Sequence, residues 1–287
     1  MPPVLTSIGA FKQSLAGSAF EALAACTKDS LTIIAFPDAN NAYLEEVWSG
    51  NSAHKMEVAV FSPRFGDNQF GLRMEHQFNP TLSGADGDPQ LIMPKALDIP
   101  VYSTDLLNVQ VNGTASDNAD VVLQLYYENI QGAGQRLASW EQVSAMIAMP
   151  DATQSRVLGI EVTVTPGATG NYGTAVALNA NDDRLQADRD YALLGYTVDN
   201  ATTSIGISGP DTGYYRIAFP GHWDSRITAD WFITQSMQRP GKPHIPIINA
   251  NNKATTFLDG LSSNNAGATK VALYLAELSQ RFVGING

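Results

Sequence analysis

The chain has 287 residues, of which 44% are apolar and 16% charged, with 28 acids against 17 bases for a net charge of −11. Such a length and apolar content predict a substantial core in one large or two modest domains and exclude disorder as the ground state. The acidic mean field and scattered bases exclude direct nucleic-acid binding, and the single Cys26 excludes an internal disulfide.

The opening residues carry no basic region followed by an uninterrupted apolar run, so no signal peptide is expected, and no stretch of eighteen apolar residues predicts a membrane span. From Ser7 to Ala25, Ile8, Phe11, Leu15, Phe20 and Leu23 fall at helical spacing, which predicts a short amphipathic helix or an arm packed on a neighbour. Cys26 follows in an Ala-rich apolar stretch, the setting of a buried, inert thiol.

The period then changes. Leu31 to Phe36 reads as a strand ended by the turn cluster from Pro37 to Asn41. Tyr43 to Trp48 reads as a strand, although Glu45 and Glu46 also suit a helical turn. Met56 to Phe61, Phe70 to His76, Ala96 to Val101, Leu106 to Val111 and Asp120 to Tyr127 continue the series. Alternation in the last two predicts one buried and one wetter face. Leu137 to Met149 predicts a short helix carrying Trp140, Val143 and Ile147, and the domain joint is expected near residue 150.

Strands resume with Val157 to Thr165 and continue through Thr174 to Leu178, Tyr191 to Val198, Ser204 to Ser208 and Tyr214 to Phe219. Ala229 to Ser236 and His244 to Ile248 also read as strands, and Thr269 to Leu278 fits strand and helix equally. Few intervening segments are long enough for crossover helices, which disfavours a parallel sheet. The expectation is an all-β chain of two consecutive antiparallel β-sandwiches, with short helices at the N-terminus and between domains. The boundaries are 1–28 for the arm or helix, 29–150 for the first sandwich with its linker helix, and 151–287 for the second.

The two halves echo each other. Ala42 to Trp48, the turn Phe61 to Arg64 and then Gly71 to Arg73 are answered by Tyr191 to Tyr196, the turn Gly209 to Gly213 and then Tyr215 to Ile217. Such an echo predicts one β-rich unit used twice.

Chemistry is sparse. His54, His76, His222 and His244 lie far apart, with no metal-site spacing, and there is no G-x-S-x-G elbow or phosphate loop. No cofactor or enzymatic activity is expected. Asp182, Asp183, Asp188 and Asp190 offer oxygens to a Ca²⁺ ion, while the interleaved Arg184 and Arg189 suit local ion pairing. Arg64, Arg73 and Arg216 flank the echoed turns, where a forked guanidinium clamps loop carbonyls or a carboxylate of its own or another subunit. Alternation along the strands puts Tyr127 or Tyr214 outside, and His222 with Trp223 forms either a tight turn or a binding lip. These seven residues are the candidate interface or ligand contacts. A surface poor in charge and rich in Asn, Ser and Thr also suits contact with further copies of the same chain.

Tyr191 to Tyr196, Gly209 to Gly213, Ile245 to Asn252 and Ser62 to Asn68 give the chain an organisation that resembles the double jelly-roll major capsid proteins of icosahedral viruses and bacteriophages. That resemblance covers most of the chain and implies jelly-roll sandwiches and trimers of roughly hexagonal outline tiling a virion shell. Its implied partners are sister subunits, other virion proteins and an underlying membrane. The alternative is a carbohydrate-binding β-sandwich acting in surface recognition or adhesion, with Tyr214, His222 and Trp223 at its loops.

Overall fold

The computed structural model describes residues 3–34, 42–51, 54–63, 71–76, 90–93, 98–102, 104–128, 134–147, 157–168, 170–199, 202–221, 228–263 and 267–283. Ten strands come from the first part of the chain: β1 (Val4–Lys12), β2 (Glu21–Ala22), β3 (Ala24–Ala25), β4 (Ala42–Asn51), β5 (Met56–Phe61), β6 (Leu72–His76), β7 (Gln90–Leu91), β8 (Ile99–Val101), β9 (Asn108–Asn112) and β10 (Ala119–Tyr127). They build one sheet in the order β3-β1-β10-β4-β7, with β8 also on β4, and a second in the order β2-β9-β5-β6. Between them lie Ile8, Leu44, Val58, Val60, Val109, Leu123 and Tyr127.

The second set comprises β11 (Leu137–Ala138), helix α1 (Trp140–Ile147), β12 (Val157–Val164), β13 (Gly167–Ala168), β14 (Val176–Ala177), β15 (Asp190–Val198), β16 (Ser204–Ser208), β17 (Ile217–Pro220), helix α2 (Trp231–Gln238), β18 (Ile245–Asn249), β19 (Phe257–Ser262) and β20 (Thr269–Glu277). Their sheets run β11-β18-β15-β20-β12 and β13-β19-β16-β17, with β14 also on β19. Every pairing is antiparallel except the short β13–β19 contact. β11 and Val143 of α1, which precede residue 150, lie with this second sheet and core.

The strand orders superimpose. In the first unit β1-β10-β4-β7 faces β2-β9-β5-β6; in the second β12-β20-β15-β18 faces β14-β19-β16-β17. Each unit thus places its first strand beside its last and its second beside its penultimate one, the eight-stranded jelly-roll path. The sequence echo falls on equivalent elements: β4 with β15, and Arg73 of β6 with Arg216 at the mouth of β17.

Strand formation follows period-two burial where one face meets water. β9 alternates strictly, and β12 buries Ile160, Val162 and Val164 while Gly159 and Glu161 point out. Helix α1 starts on a reciprocal cap, in which Gln142 N–H donates to Ser139 Oγ at 3.4 Å and Ser139 N–H to Gln142 Oε1 at 2.9 Å.

Four expectations change. The strand read over Leu31 to Phe36 is not formed in its described part: 31–34 make one isolated bridge, Thr32 with Leu106, and scattered backbone bonds to 104–107, while 35–36 lie outside the described residues. The N-terminal helix is instead strand β1, paired along its whole length with β10 from Val4–Tyr127 to Lys12–Ala119. Both faces of β1 are covered, Val4, Ile8 and Ala10 by the first core and Leu5 by the second, so apolar residues occur on both parities and imitate a helical spacing. The predicted strand from Ala229 to Ser236 is helix α2, because Trp231, Phe232, Gln235 and Ser236 share one buried helical face. β10 has no wetter face: all nine residues are buried, since the second unit covers its outer side. The ambiguous segment near the C-terminus is strand β20, held between β12 and β15.

Candidate functional site

The seam where the second unit covers β1, β10 and β4 gathers a network of buried ion pairs. Its first fastening is Gln135, just before β11. Its side-chain amide accepts from Leu5 N–H and donates to Leu5 C=O, both at 2.7 Å, in place of a neighbouring strand. Ser7 N–H donates to Arg216 C=O at 3.0 Å, and Ala218 N–H to Ser7 Oγ at 3.0 Å. Gly9 sits where a Cβ would lie 2.4 Å from Tyr172 Oη, so only glycine lets β1 approach so closely.

The second fastening is Arg216. Its guanidinium donates to Asp259 at 3.1 and 2.7 Å and to Asp29 at 3.2 Å, and lies 3.5 Å from the centroid of the Tyr172 ring. Burial by itself would push this guanidinium down, but Asp259, with Tyr172 and Asp29, holds it above the ordinary arginine value. Tyr172 Oη donates to Asp29 Oδ2 at 2.7 Å, and Gly9 N–H reaches the same oxygen at 2.7 Å. Burial nonetheless raises the Asp29 carboxyl.

The third is Arg239 at the C-terminal end of α2, with a side chain only 2% exposed. It donates to Glu46 Oε1 at 3.0 Å, Glu45 C=O at 3.0 Å and Asp98 Oδ1 at 3.2 Å, and to Gln235. His244 Nε2 lies 2.8 Å from Glu45 Oε2 while its ring stacks on Tyr126 at 5.0 Å. Lys242 binds Asp98 at 2.7 Å and sits 4.2 Å from the Tyr43 ring centroid. Burial would raise Asp98, but Lys242 and then Arg239 outweigh it and hold that carboxyl low. Between these fastenings Cys26, Trp48, Val122, Ala218 and Leu261 form an apolar patch.

Beside Arg216 the seam opens into a cleft of about 440 Å³. Arg216, Asp29 and Asp259 form its floor, and Lys28, Ile34, Tyr214 and Phe257 stand around it. Tyr214 is 76% exposed, and Ile34 and Phe257 are each 36% exposed. Tyr214 and Lys28 both adopt left-handed backbone, with φ of 63° and 75°. A bulky residue seldom does so, and each such position costs about 1–3 kcal/mol. The turn before Tyr214 enforces it: Thr212 Oγ1 accepts from Gly209 N–H at 2.9 Å, and Tyr214 N–H returns to Gly209 C=O at 2.9 Å.

The predicted contact residues therefore separate. Tyr214 and Arg216 meet at the cleft, one at its mouth and one in its floor. Arg73 is on the outer face of β6, not in the cleft lining, over the Phe20 ring at 5.0 Å. Tyr127 is corrected: it is wholly buried in the first core, its Oη accepting from Ile34 N–H at 3.3 Å, because residues of odd number on β10 point between the sheets. Arg64, His222 and Trp223 lie outside the described residues.

The acidic loop resolves into ion pairs and hydrogen bonds. Asp182 binds Arg184, Asp183 binds Lys253, Asp188 binds Arg281 at 3.3 Å, and Asp190 binds Arg136 at 2.6 Å. Among the described residues no group of three or more His, Cys, Asp or Glu is placed to hold a metal ion. The fold brings Ser49 Oγ within 2.9 Å of His76 Nδ1, but Ser49 is wholly buried, where no substrate reaches it. His54 faces Asp117 at 2.9 Å. Burial, followed by the charges of Asp120 and Asp29, drives the Cys26 thiol far above its usual range.

No helix of the described residues is long and apolar enough to cross a membrane. No family model matches the chain, and no curated protein matches it. Among solved structures it is similar to the major capsid protein P2 of bacteriophage PM2, at 8% identity over 98% of this chain and 100% of that one, with a TM-score of 0.24. The VP2 subviral particle of infectious bursal disease virus gives 9% identity, 96% and 72% coverage and a TM-score of 0.19. The structure of Sulfolobus Turreted Icosahedral Virus gives 9%, 98% and 81%, and 0.21. Scores of this size establish no strand-by-strand equivalence.

Proposed function

We propose that the chain is a non-enzymatic structural subunit, a major capsid protein of the double jelly-roll type that builds an icosahedral virion shell. One observation carries the reading: the same eight-strand path occurs twice in one chain, and the buried pairs Arg216–Asp29 and Arg239–Glu46 lock the two copies into a single body. We place the repeat boundary between Tyr127 and Leu137, ahead of the residue 150 expected from the sequence, because β11 pairs with β18. A threefold ring of such bodies displays six jelly rolls, so a trimer has a hexagonal outline suited to tiling. Low charge supports the same conclusion, because subunit contacts then desolvate few ions. The cleft mouth, with Tyr214, Phe257 and Ile34 exposed together beside Lys28, is the contact we assign to a neighbouring subunit. Other virion proteins and an underlying membrane are further partners under this reading.

Sedimentation velocity and electron microscopy of the purified chain test it. Trimers or closed particles are expected, with assembly weakened at least tenfold by Tyr214→Asp. A monomer that persists at high concentration in physiological salt refutes the proposal. Carbohydrate recognition is the second reading, favoured by Tyr214 offering an open ring face beside Ser30 and Ser208 in the same cleft. Saturable binding on a glycan array, lost in Tyr214→Ala, would select it.

A further inference from the structure

Asp120 has no place in the fastenings described above. It lies on β10 between Phe11 of β1 and Gly50 of β4, 1% exposed, on the outer face that meets the second unit. Its carboxyl accepts from Thr203 Oγ1 at 3.3 Å, and that hydroxyl accepts in turn from Ser263 N–H at 3.3 Å. Thr203 belongs to the second unit and is seated directly over β4: a Cβ on Gly50 would lie 2.3 Å from its Oγ1. The units meet here through this hydroxyl resting on a buried carboxyl and, beside it, Asn118 Nδ2 donating to Ser263 C=O at 3.1 Å.

The surroundings are apolar or already committed. Trp48, Val122, Ala218 and Leu261 pack here. The charged and titratable groups on the adjoining segments all have partners or are buried: Lys12 pairs with Glu21, Glu45 and Glu46 with Arg239 and His244, Asp117 with His54, and Arg216 with Asp29 and Asp259, while Cys26 is buried beside them. Among the described residues no ion pair reaches Asp120. An ionised carboxylate buried with one hydrogen bond and no cation is strongly disfavoured, whereas the protonated form keeps the Thr203 contact at little expense.

We propose that the seam between the two jelly rolls is a pH-sensitive joint whose sensor is Asp120, tight while its carboxyl is protonated and loosened when that carboxyl ionises. Burial, the larger influence, pushes the carboxyl up from 3.8 to about 7 against the opposing hydrogen bond from Thr203. The folded value lies above the unfolded one, so the stabilisation is complete below about pH 4 and is lost as pH rises through about 7. This inference stands apart from the shell reading, since it concerns the joint within one chain.

Hydrogen exchange at Ser7 and Ala218 N–H, which both bridge the seam, reads the joint directly once intrinsic rates are divided out. In the unaltered chain, protection at these amides is expected to fall at least tenfold between pH 5 and pH 8. In Asp120→Asn it stays flat, because the amide cannot ionise. Equal pH profiles in the two proteins overturn the proposal. If Asp120→Asn does not fold, Thr203→Val decides: loss of the donor moves the protection midpoint to higher pH, and an unmoved or lowered midpoint overturns the proposal.

Discussion

Replacing Arg239 by methionine keeps the length and apolar stem of the side chain while deleting the one guanidinium that faces Glu45, Glu46 and Asp98 together. Both glutamates are at most 1% exposed, so neither recovers water when the cation goes. Removing one partner of a buried ion pair costs about 3–5 kcal/mol, because the charge left behind stays desolvated. For a chain of this size each kcal/mol corresponds to roughly 2 °C, giving a fall of about 6–10 °C in Tm. Denaturant unfolding of Arg239→Met, Glu46→Gln and the double variant closes a double-mutant cycle. The double variant should recover part of the loss, with a coupling of about 0.5–3 kcal/mol for groups in contact. A single-variant loss within about 0.5 kcal/mol, the range of ordinary surface changes, refutes the claim that this network fastens the units.

Two further outcomes follow from the seam. Gln135→Ala strips both hydrogen bonds from buried Leu5, and two unpaired backbone groups at about 1–3 kcal/mol each predict roughly 2–6 kcal/mol of lost stability. Unchanged exchange protection at Leu5 N–H would contradict it. Cys26, buried and with its thiol raised, should resist alkylating reagents at pH 8 in the native protein and react fully in denaturant; rapid native labelling would show that the patch around it is open.

The sequence was most readable where a strand meets water on one side. β9 and β12 keep their alternation, and the turn at Gly209 to Gly213 is spelled by its residue types. The echo between halves was legible because it falls on equivalent strands, β4 with β15 and β6 with β17. Where a strand is buried on both faces, as in β1 and β10, burial no longer selects a parity and the period carries no information. Arg216 and Tyr214 stood out by position, but the partners of Arg216 are 43 and 187 residues away, and His244 reaches Glu45 across 199. Local patterns hold no trace of such distances. One signal was present: adjacent Glu45 and Glu46 inside an apolar strand force one carboxylate inward, and an inward carboxylate needs a cation.

β1 is synthesised well before its sheet neighbour β10, and before Gln135 and Arg216, which together with β3 cover its other edge. Until residue 216 has been made, the Ser7 amide on that edge has no cover, and an uncovered edge invites pairing with whatever strand is near. A fragment ending after β10 should accordingly clump, not fold as a quiet half-molecule. Nascent chains crowded on one message would meet the same hazard, so production of this protein depends on finishing each copy before its siblings find it.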